Sequence, residues 1–419
     1  MKTKAVRLYG KRDLRLEEFE LPPIRDDEIL AHVVCDSICM SSYKEAIQGS
    51  DHKRVPEGIE KNPVIIGHEF CGELVEVGAK WKSKFKEGQR FSIQPNLKYQ
   101  GTMWAPGYSY PYIGGDATYV IIPNEVMEMN CLLSYNGEAF FYGSLAEPMS
   151  CIVAAFKASF HIEENYIHHM GPAKGGNMAI LAGAGPMGLG FIDYVLHSQQ
   201  KPDFLVITDI DDNRLHRARS IYSPPMAESL GIHLEYVNTG SLEDPVNHLL
   251  SLTQGAGYND VFILAPVTSV VEQGDSILAR DGCLNFFAGP TDTNFSAKIN
   301  FYNVHYLSHH VVGTSGGNTD DMVESLDLME KEVINPSPMI THIGGLNSVI
   351  ETTLNLPKIP GGKKLIYTNI DLELTPLADF KEKGKSDPLF AALAEIISET
   401  DNLWSEKAEK YLLTHAKPI

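Results

Sequence analysis

The 419-residue chain is poor in the features that mark several protein classes. Cysteine is scarce: Cys35, Cys39, Cys71, Cys131, Cys151 and Cys283 are too few and too scattered for a disulfide scaffold. Basic residues are outnumbered, 35 Lys+Arg against 54 Asp+Glu for a formal net charge of −19, which argues against nucleic acid or an anionic membrane as the main partner. An uninterrupted apolar run of membrane length is missing too. The most apolar stretch, "MAILAGAGPMGLGFIDYVL" at 178–196, carries glycines, a proline and an aspartate that suit a strand, a turn and a helix better than a span. The opening "MKTKAVRLYGKRDLRLEE" alternates charged with apolar residues and has no signal-type hydrophobic core. A reduced cytoplasm is the expected setting. There is no internal repeat and no low-complexity linker.

With 43% hydrophobic and 21% charged residues, the composition is that of a globular protein acting on compact ligands. Its length exceeds what one core usually holds, so two domains are expected. Residues 1 to about 155 read as short β patterns broken by Gly and Pro, such as "AVRLYG", "EILAHVVC", "GELVEVG" and "GQRFSI", which suits an irregular barrel. From "NMAILAGAGPMG" onward, continuous apolar runs alternate with helical segments: "FLVITDI" then "DNRLHRARSI", "DVFILAP" then "SVVEQGDSILA". Such runs suit a parallel sheet covered on both faces. After "HVVGTSGG" come an amphipathic helix, "DDMVESLDLMEKEV", and a closing strand, "KKLIYTNI"; the tail segments "DPLFAALAEIISET" and "LWSEKAEKYLL" carry helical spacing.

The turn "GAGPMG" places Gly183, Gly185 and Gly188 in G-x-G-x-x-G spacing around Pro186 and Met187. A strand precedes it, a helix follows, and Asp209 ends the next strand, the context that makes this pattern a dinucleotide site. Gly183 permits the tight turn, Gly185 the approach of a pyrophosphate, and Gly188 close helix–strand packing. Asp209 is expected to accept hydrogen bonds from the ribose hydroxyls, favouring NAD(H) over NADP(H), with Arg214 softening that preference.

A second constellation lies upstream. "CDSICMSSYK" puts Cys39 at a strand end, "VIIGHEFCGELVEVG" puts His68 and Glu69 side by side in an apolar, glycine-punctuated run, and "LAEPMSC" puts Glu147 where a helix is expected to begin. Thiolate, imidazole and carboxylate are ligands that zinc accepts. Singly, each has a structural explanation, and for Cys35 and Cys71 burial as small hydrophobes suffices.

The order Cys ("CMS"), Gly-His-Glu ("GHE"), Glu-Pro and then the nucleotide fold resembles the zinc-dependent medium-chain dehydrogenases, the family of alcohol, sorbitol and threonine dehydrogenases, to about residue 370. The resemblance implies an α/β protein: a Rossmann-type doubly wound parallel sheet at 156–315, and a catalytic β-barrel domain, discontinuous in sequence, at 1–155 and again from 316. The stretch 316–419 also includes the carboxy-terminal helical extension. It further implies Cys39 and His68 as zinc ligands, Glu69 as a ligand or close second contact, and Glu147 as the remaining ligand of the polyol branch. Ser41 is implied to bond the substrate oxygen and pass its proton on, or else only to cap local backbone. Lys44 stands where relatives often carry a relay histidine.

Two departures from the family pattern matter. The loop "QPNLKYQGTMWAPGYSYPYIGG" lacks the four cysteines of a structural zinc, so one zinc ion per chain is expected. The usual Asp after the ligand Cys is Ser42, so support for His68 is expected from elsewhere. "DSICMSSYK", "GTSGGNTDDM" and the tail resemble the L-sorbose 1-phosphate reductase branch, implying exchange between a ketose phosphate and a hexitol phosphate, with Lys44, Lys53 and Arg54 as candidate phosphate contacts. The alternatives are a polyol or amino-alcohol dehydrogenase without a phosphate requirement, and a non-catalytic nucleotide-binding sensor. A homodimer or homotetramer is implied by the family.

Overall fold

A computed structural model describes the whole chain except Glu164 and Asn165; of Glu163 only the backbone is described. The chain divides into two units, one built from 1–148, 318–330 and 340–419, the other from 149–317 and 331–339.

In the first unit, β1 (Lys2–Gly10) turns back on β2 (Asp13–Glu20), and Arg12 takes the left-handed conformation in the turn between them. Strand β3 (Ile29–Ile38) is buried almost along its whole length, because it is central to an eight-stranded sheet. The remaining strands before the long helix are β4 (Val64–Ile65), β5 (Phe70–Val77), β6 (Arg90–Ile93), β7 (Tyr119–Ile122) and β8 (Leu132–Ser134). In the second unit follow β9 (Phe160–Glu163), β10 (Ile167–Met170), β11 (Asn177–Leu181), β12 (Phe204–Asp209), β13 (His233–Asn238), β14 (Tyr258–Ile263), β15 (Leu278–Phe286) and β16 (His310–Gly313). The chain then returns to the first unit with β17 (Ile340–Gly345), β18 (Lys363–Tyr367) and β19 (Thr375–Pro376). The large sheet runs β19-β17-β18-β3-β5-β6-β8, with β7 also on β3, and β2-β1-β4 forms a smaller sheet. Placing β18 against β3, antiparallel with Lys364 opposite Ile38, brings residues 363–367 beside the strand that ends just before Cys39.

The second unit holds a six-stranded parallel sheet in the order β13-β12-β11-β14-β15-β16. This is the order in which the chain starts in the middle and is wound outward twice, so the ligand crevice falls at the carboxyl end of β11. Its strands are apolar throughout since both faces are covered: Ala179, Leu181, Val206, Val261, Ile263 and Leu284 are buried together.

The tail packs on the first unit. Helices Pro388–Ser398 and Glu406–His415 and the link between them bury Phe390, Leu393, Trp404 and Leu412 against Leu365, Tyr367 and Phe380. Trp404 donates its indole N–H to the Tyr367 hydroxyl at 2.7 Å, satisfying a polar atom that burial would otherwise leave costly.

Candidate functional site

Cys39 follows β3 directly and caps the helix Met40–Gln48. Its extended backbone ends the strand, and its sulfur accepts the Ser41 N–H at 3.3 Å. Ser41 and Lys44 therefore ride on the first turns of this helix, and the Ser41 backbone, at least, is engaged in capping.

His68 and Glu69 do not continue a strand, as their apolar surroundings suggest, but occupy the bend between β4 and β5. Gly67 makes the bend possible. Its φ is +90°, and a Cβ there would lie 2.8 Å from both the Asp116 nitrogen and the Asp36 Oδ2. Three further bonds hold Glu69. Its N–H donates to Asp36 Oδ1 at 3.1 Å, and its carbonyl accepts from Ser37 N at 3.1 Å and Ser144 Oγ at 2.6 Å.

The result is a group of three donors, Cys39, His68 and Glu69, whose ligand atoms all lie within 4.8 Å of one another. Two metal–ligand arms of about 2.0–2.3 Å allow donors up to roughly 4.6 Å apart, so a small inward movement suffices for one zinc ion. The chemistry of the set also fits. Burial, with Glu69 next in importance, pushes the Cys39 thiol up to about 12, and burial pushes His68 down to about 4. A neutral imidazole is already a ligand, while the thiol needs a cation to ionise.

Glu69 already has a cationic partner within the protein. The Lys363 ammonium lies 2.6 and 2.5 Å from its two carboxylate oxygens, and the Ser37 hydroxyl also donates to it. Burial opposes the charge on Lys363, but Glu69, with Cys39 and Glu147 beyond it, holds that ammonium above its ordinary value. Lys363 was not singled out in the sequence, although a lysine pair opening an apolar strand is an anomaly worth reading.

Glu147 does not begin a helix. It stands in the interior of the nineteen-residue helix Phe140–Ala158, just before Pro148, and is outside the three-donor group. Proline is tolerated there because only one helical bond is lost, that to the Ser144 carbonyl. The true start, Phe140, is capped from a distance: the Glu409 carboxylate accepts the N–H groups of Phe140 and Phe141 at 2.6 and 2.9 Å. Glu147 nonetheless adds to the negative field at Cys39.

Support for His68 comes chiefly from elsewhere than Ser42, with a weaker contact from Ser42 itself. The Ser42 hydroxyl lies 3.5 Å from His68 Nδ1, at the outer limit of a hydrogen bond, and the Tyr108 hydroxyl lies 3.2 Å from Nε2. Tyr108 carried no signal in the sequence.

The second constellation stands in the other unit. A Cβ on Gly188 would sit 1.9 Å from the Gly183 carbonyl oxygen, so the helix touches the turn that follows β11 there. Gly185 has open space on its Cβ side and heads the helix Pro186–His197 with no side-chain cap, leaving the N–H groups of the first turn available to an anion. Met187 belongs to this first turn. Asp209 is buried and accepts from Ile210 N at 2.8 Å, Asp211 N at 3.1 Å and Ala184 N at 3.3 Å, which ties it to the glycine turn; Arg214 is 4.0 Å away.

Residues 25–130 match the model of the alcohol dehydrogenase GroES-like domain. The chain is 50% identical to an L-sorbose 1-phosphate reductase of Klebsiella pneumoniae over 100% of this chain and 98% of that one. It is 51% identical to a mannitol-1-phosphate 5-dehydrogenase of Aliivibrio fischeri, covering 98% and 97%. The crystal structure of a 2R,3R-butanediol dehydrogenase from Bacillus subtilis superposes with a TM-score of 0.70 at 23% identity, covering 88% of this chain and all of that one, which shows the shared fold. The chain is thus an oxidoreductase that belongs to the zinc-dependent medium-chain alcohol and polyol dehydrogenases, on the branch that includes L-sorbose 1-phosphate reductase.

Proposed function

We propose that the protein exchanges a hydride between NAD(H) and a phosphorylated sugar, reducing a ketose phosphate to a hexitol phosphate or running the reverse. The observation that carries this reading is the approach of Cys39 to His68, with Glu69 beside them, in a chain half identical, end to end, to two enzymes named for sugar phosphates. Cys39 and His68 are the proposed ligands of a single zinc ion, with Glu147 completing the set and Glu69 held back by Lys363 as a close second contact. Bound there, zinc would supply a Lewis acid that polarises the substrate carbonyl. Ser41 holds the substrate oxygen and passes the proton onward, and Lys44 keeps a positive charge on the same helix. Gly183, Gly185, Pro186, Met187 and Gly188 receive the pyrophosphate; Asp209 orients the ribose and disfavours a 2′-phosphate, Arg214 tempering the preference.

A second reading, polyol or amino-alcohol oxidation without a phosphate, draws on the fold shared with the butanediol enzyme. A screen of NADH and NADPH oxidation against ketoses and their 1- and 6-phosphates, run beside zinc analysis, separates the two. Equal turnover of free and phosphorylated ketose removes the first reading, and full turnover in metal-free protein removes the zinc. Turnover of nothing in the panel points to the non-catalytic sensor.

Pairing into a homodimer or homotetramer belongs to the same proposal. It is supported by the edge strand β16, where Val311 is 51% exposed, and by the exposed Phe301, Tyr302 and Tyr306 on the preceding helix, an apolar surface of the kind that subunits cover. A cytoplasmic setting is supported by six cysteines that are all free thiols, and no helix among the described residues is long and apolar enough to cross a membrane.

A further inference from the structure

Beyond the helix Met40–Gln48, the segment carrying His52 and Arg54 folds back over Tyr108. The His52 ring stacks on Tyr108 with centroids 5.6 Å apart and planes 10° from parallel, and the Arg54 guanidinium carbon lies 5.1 Å from the Tyr108 centroid. Tyr108 in turn packs on His68, ring centroids 4.8 Å apart, its hydroxyl 3.2 Å from Nε2. One aromatic ring therefore separates Arg54 from the proposed metal ligand. The backbone is pinned in this position, since Ser109, the residue after Tyr108, donates its hydroxyl to the Arg54 carbonyl at 2.7 Å.

Among the described residues, no carboxylate lies within ion-pair distance of the Arg54 guanidinium. Its charge reaches Glu45, which is fully buried with neither carboxyl oxygen hydrogen-bonded. Burial, with Asp116 nearby, holds the Glu45 carboxyl well above the usual carboxylate range, and the positive charge of Arg54 opposes that rise. The neighbouring cations act together. His52 is pushed down to about 4 by burial and then by Arg54, Lys53 and Lys44. Arg54, Lys53 and Lys44 thus form a local group of cations around His52 in a chain of net charge −19, an arrangement that favours an anionic ligand beside them.

We propose that Arg54 binds the phosphate of the substrate, and that the site takes a sugar whose phosphate sits on the carbon next to the reacting one. This rests on the sugar-phosphate reading above and sharpens it. In a 2-ketose 1-phosphate, three bonds separate the carbonyl carbon from phosphorus, so the phosphate of a substrate held at His68 falls beside the ligands. In a hexitol 1-phosphate oxidised at carbon 5, four carbons of chain carry the phosphate away. The planar guanidinium, braced on Tyr108, offers two parallel N–H donors to such a phosphate.

The test is steady-state kinetics of the full-length, zinc-containing protein with NADH against L-sorbose 1-phosphate, fructose 1-phosphate, fructose 6-phosphate and the free ketoses, for wild type, Arg54→Gln and Arg54→Lys. The expected result is that Arg54→Gln lowers kcat/KM for 1-phosphates through KM by about 30-fold more than for the free ketoses, the loss typical of one charge-assisted contact. Arg54→Lys should restore part of it, and inorganic phosphate should inhibit wild type competitively but Arg54→Gln weakly. Equal losses on phosphorylated and free ketoses, or a wild-type preference for the 6-phosphate, overturn the inference and leave the sugar-phosphate reading standing. Wild-type indifference to phosphate takes down that reading as well. Should Arg54→Gln not fold, the wild-type preference and phosphate inhibition decide alone: preference for 1-phosphates with competitive inhibition supports the proposal, and absence of either overturns it.

Discussion

Lys363 and Glu69, 294 positions apart, form an ion pair of 2.5 Å with both side chains buried, 7% and 1% exposed. Its geometry decides how the donor group behaves, because a carboxylate with an ammonium and the Ser37 hydroxyl on it is restrained from approaching a metal.

Breaking this pair from one side leaves a charge stranded. Lys363→Met should cost about 3–5 kcal/mol of stability. Adding Glu69→Gln should recover part of the loss, since the stranded charge is then gone. Denaturant midpoints of the two single variants and the double variant measure the coupling; additive losses would show the pair to be incidental.

Zinc content follows the same division of roles. Cys39→Ser and His68→Gln should each lower bound zinc far below one ion per chain, whereas Glu69→Gln should retain most of it. Metal analysis after dialysis reads this directly. Retention of a full ion by Cys39→Ser would show that the metal, if bound, is held elsewhere.

At the nucleotide turn, Asp209→Asn should shift the NADPH-to-NADH ratio of kcat/KM upward by about tenfold, the order expected when a charged acceptor becomes neutral. The same variant loosens the bonds from Ala184, Ile210 and Asp211, so some thermal stability should be lost with it. An unchanged ratio would remove Asp209 from cofactor selection.

Gly188→Ala probes the turn differently. Its Cβ would need to occupy space 1.9 Å from the Gly183 oxygen, so the helix must move off the glycine turn. The expected outcome is a weakened affinity for NADH, by fluorescence titration, together with a lower thermal stability, whereas Gly185→Ala, whose Cβ meets nothing within 4 Å of the protein but stands where the pyrophosphate approaches, should weaken NADH with stability unchanged.

Glu409 gives a pH prediction with a definite sign. Burial raises its carboxyl from 4.5 to about 7, outweighing the bonds it accepts from Tyr367, Phe140 and Phe141. The folded chain therefore holds a proton that the unfolded chain releases between about pH 4.5 and 7, and stability from this group falls as pH rises through that window, by on the order of 3 kcal/mol. Buried Asp36, Asp116 and Glu45 are raised as well and contribute with the same sign. The stability of Glu409→Gln, followed from pH 5 to 8, should decline less steeply than wild type. Parallel curves would show that Glu409 does not titrate in that range.

Local chemistry made much of this protein legible from its residues alone. The apolar strands of the parallel sheet, the glycine turn and the helix "DNRLHRARSI", which spans Asp212–Ile221, all follow from contacts between near neighbours, and near neighbours are what sequence spacing encodes. The histidine and glutamate at 68 and 69 were legible as an anomaly, two polar side chains where packing favours hydrophobes. What those side chains touch was not. Lys363 reaches Glu69 because β18 lies against β3, and Tyr108 reaches His68 from a loop with no period of its own. The helix through Glu147 begins seven residues early because Glu409, on the tail, supplies the cap that no nearby residue offers. Such contacts depend on the path of the backbone through the whole fold, and residues hundreds of positions apart leave no mark on one another until the chain has closed.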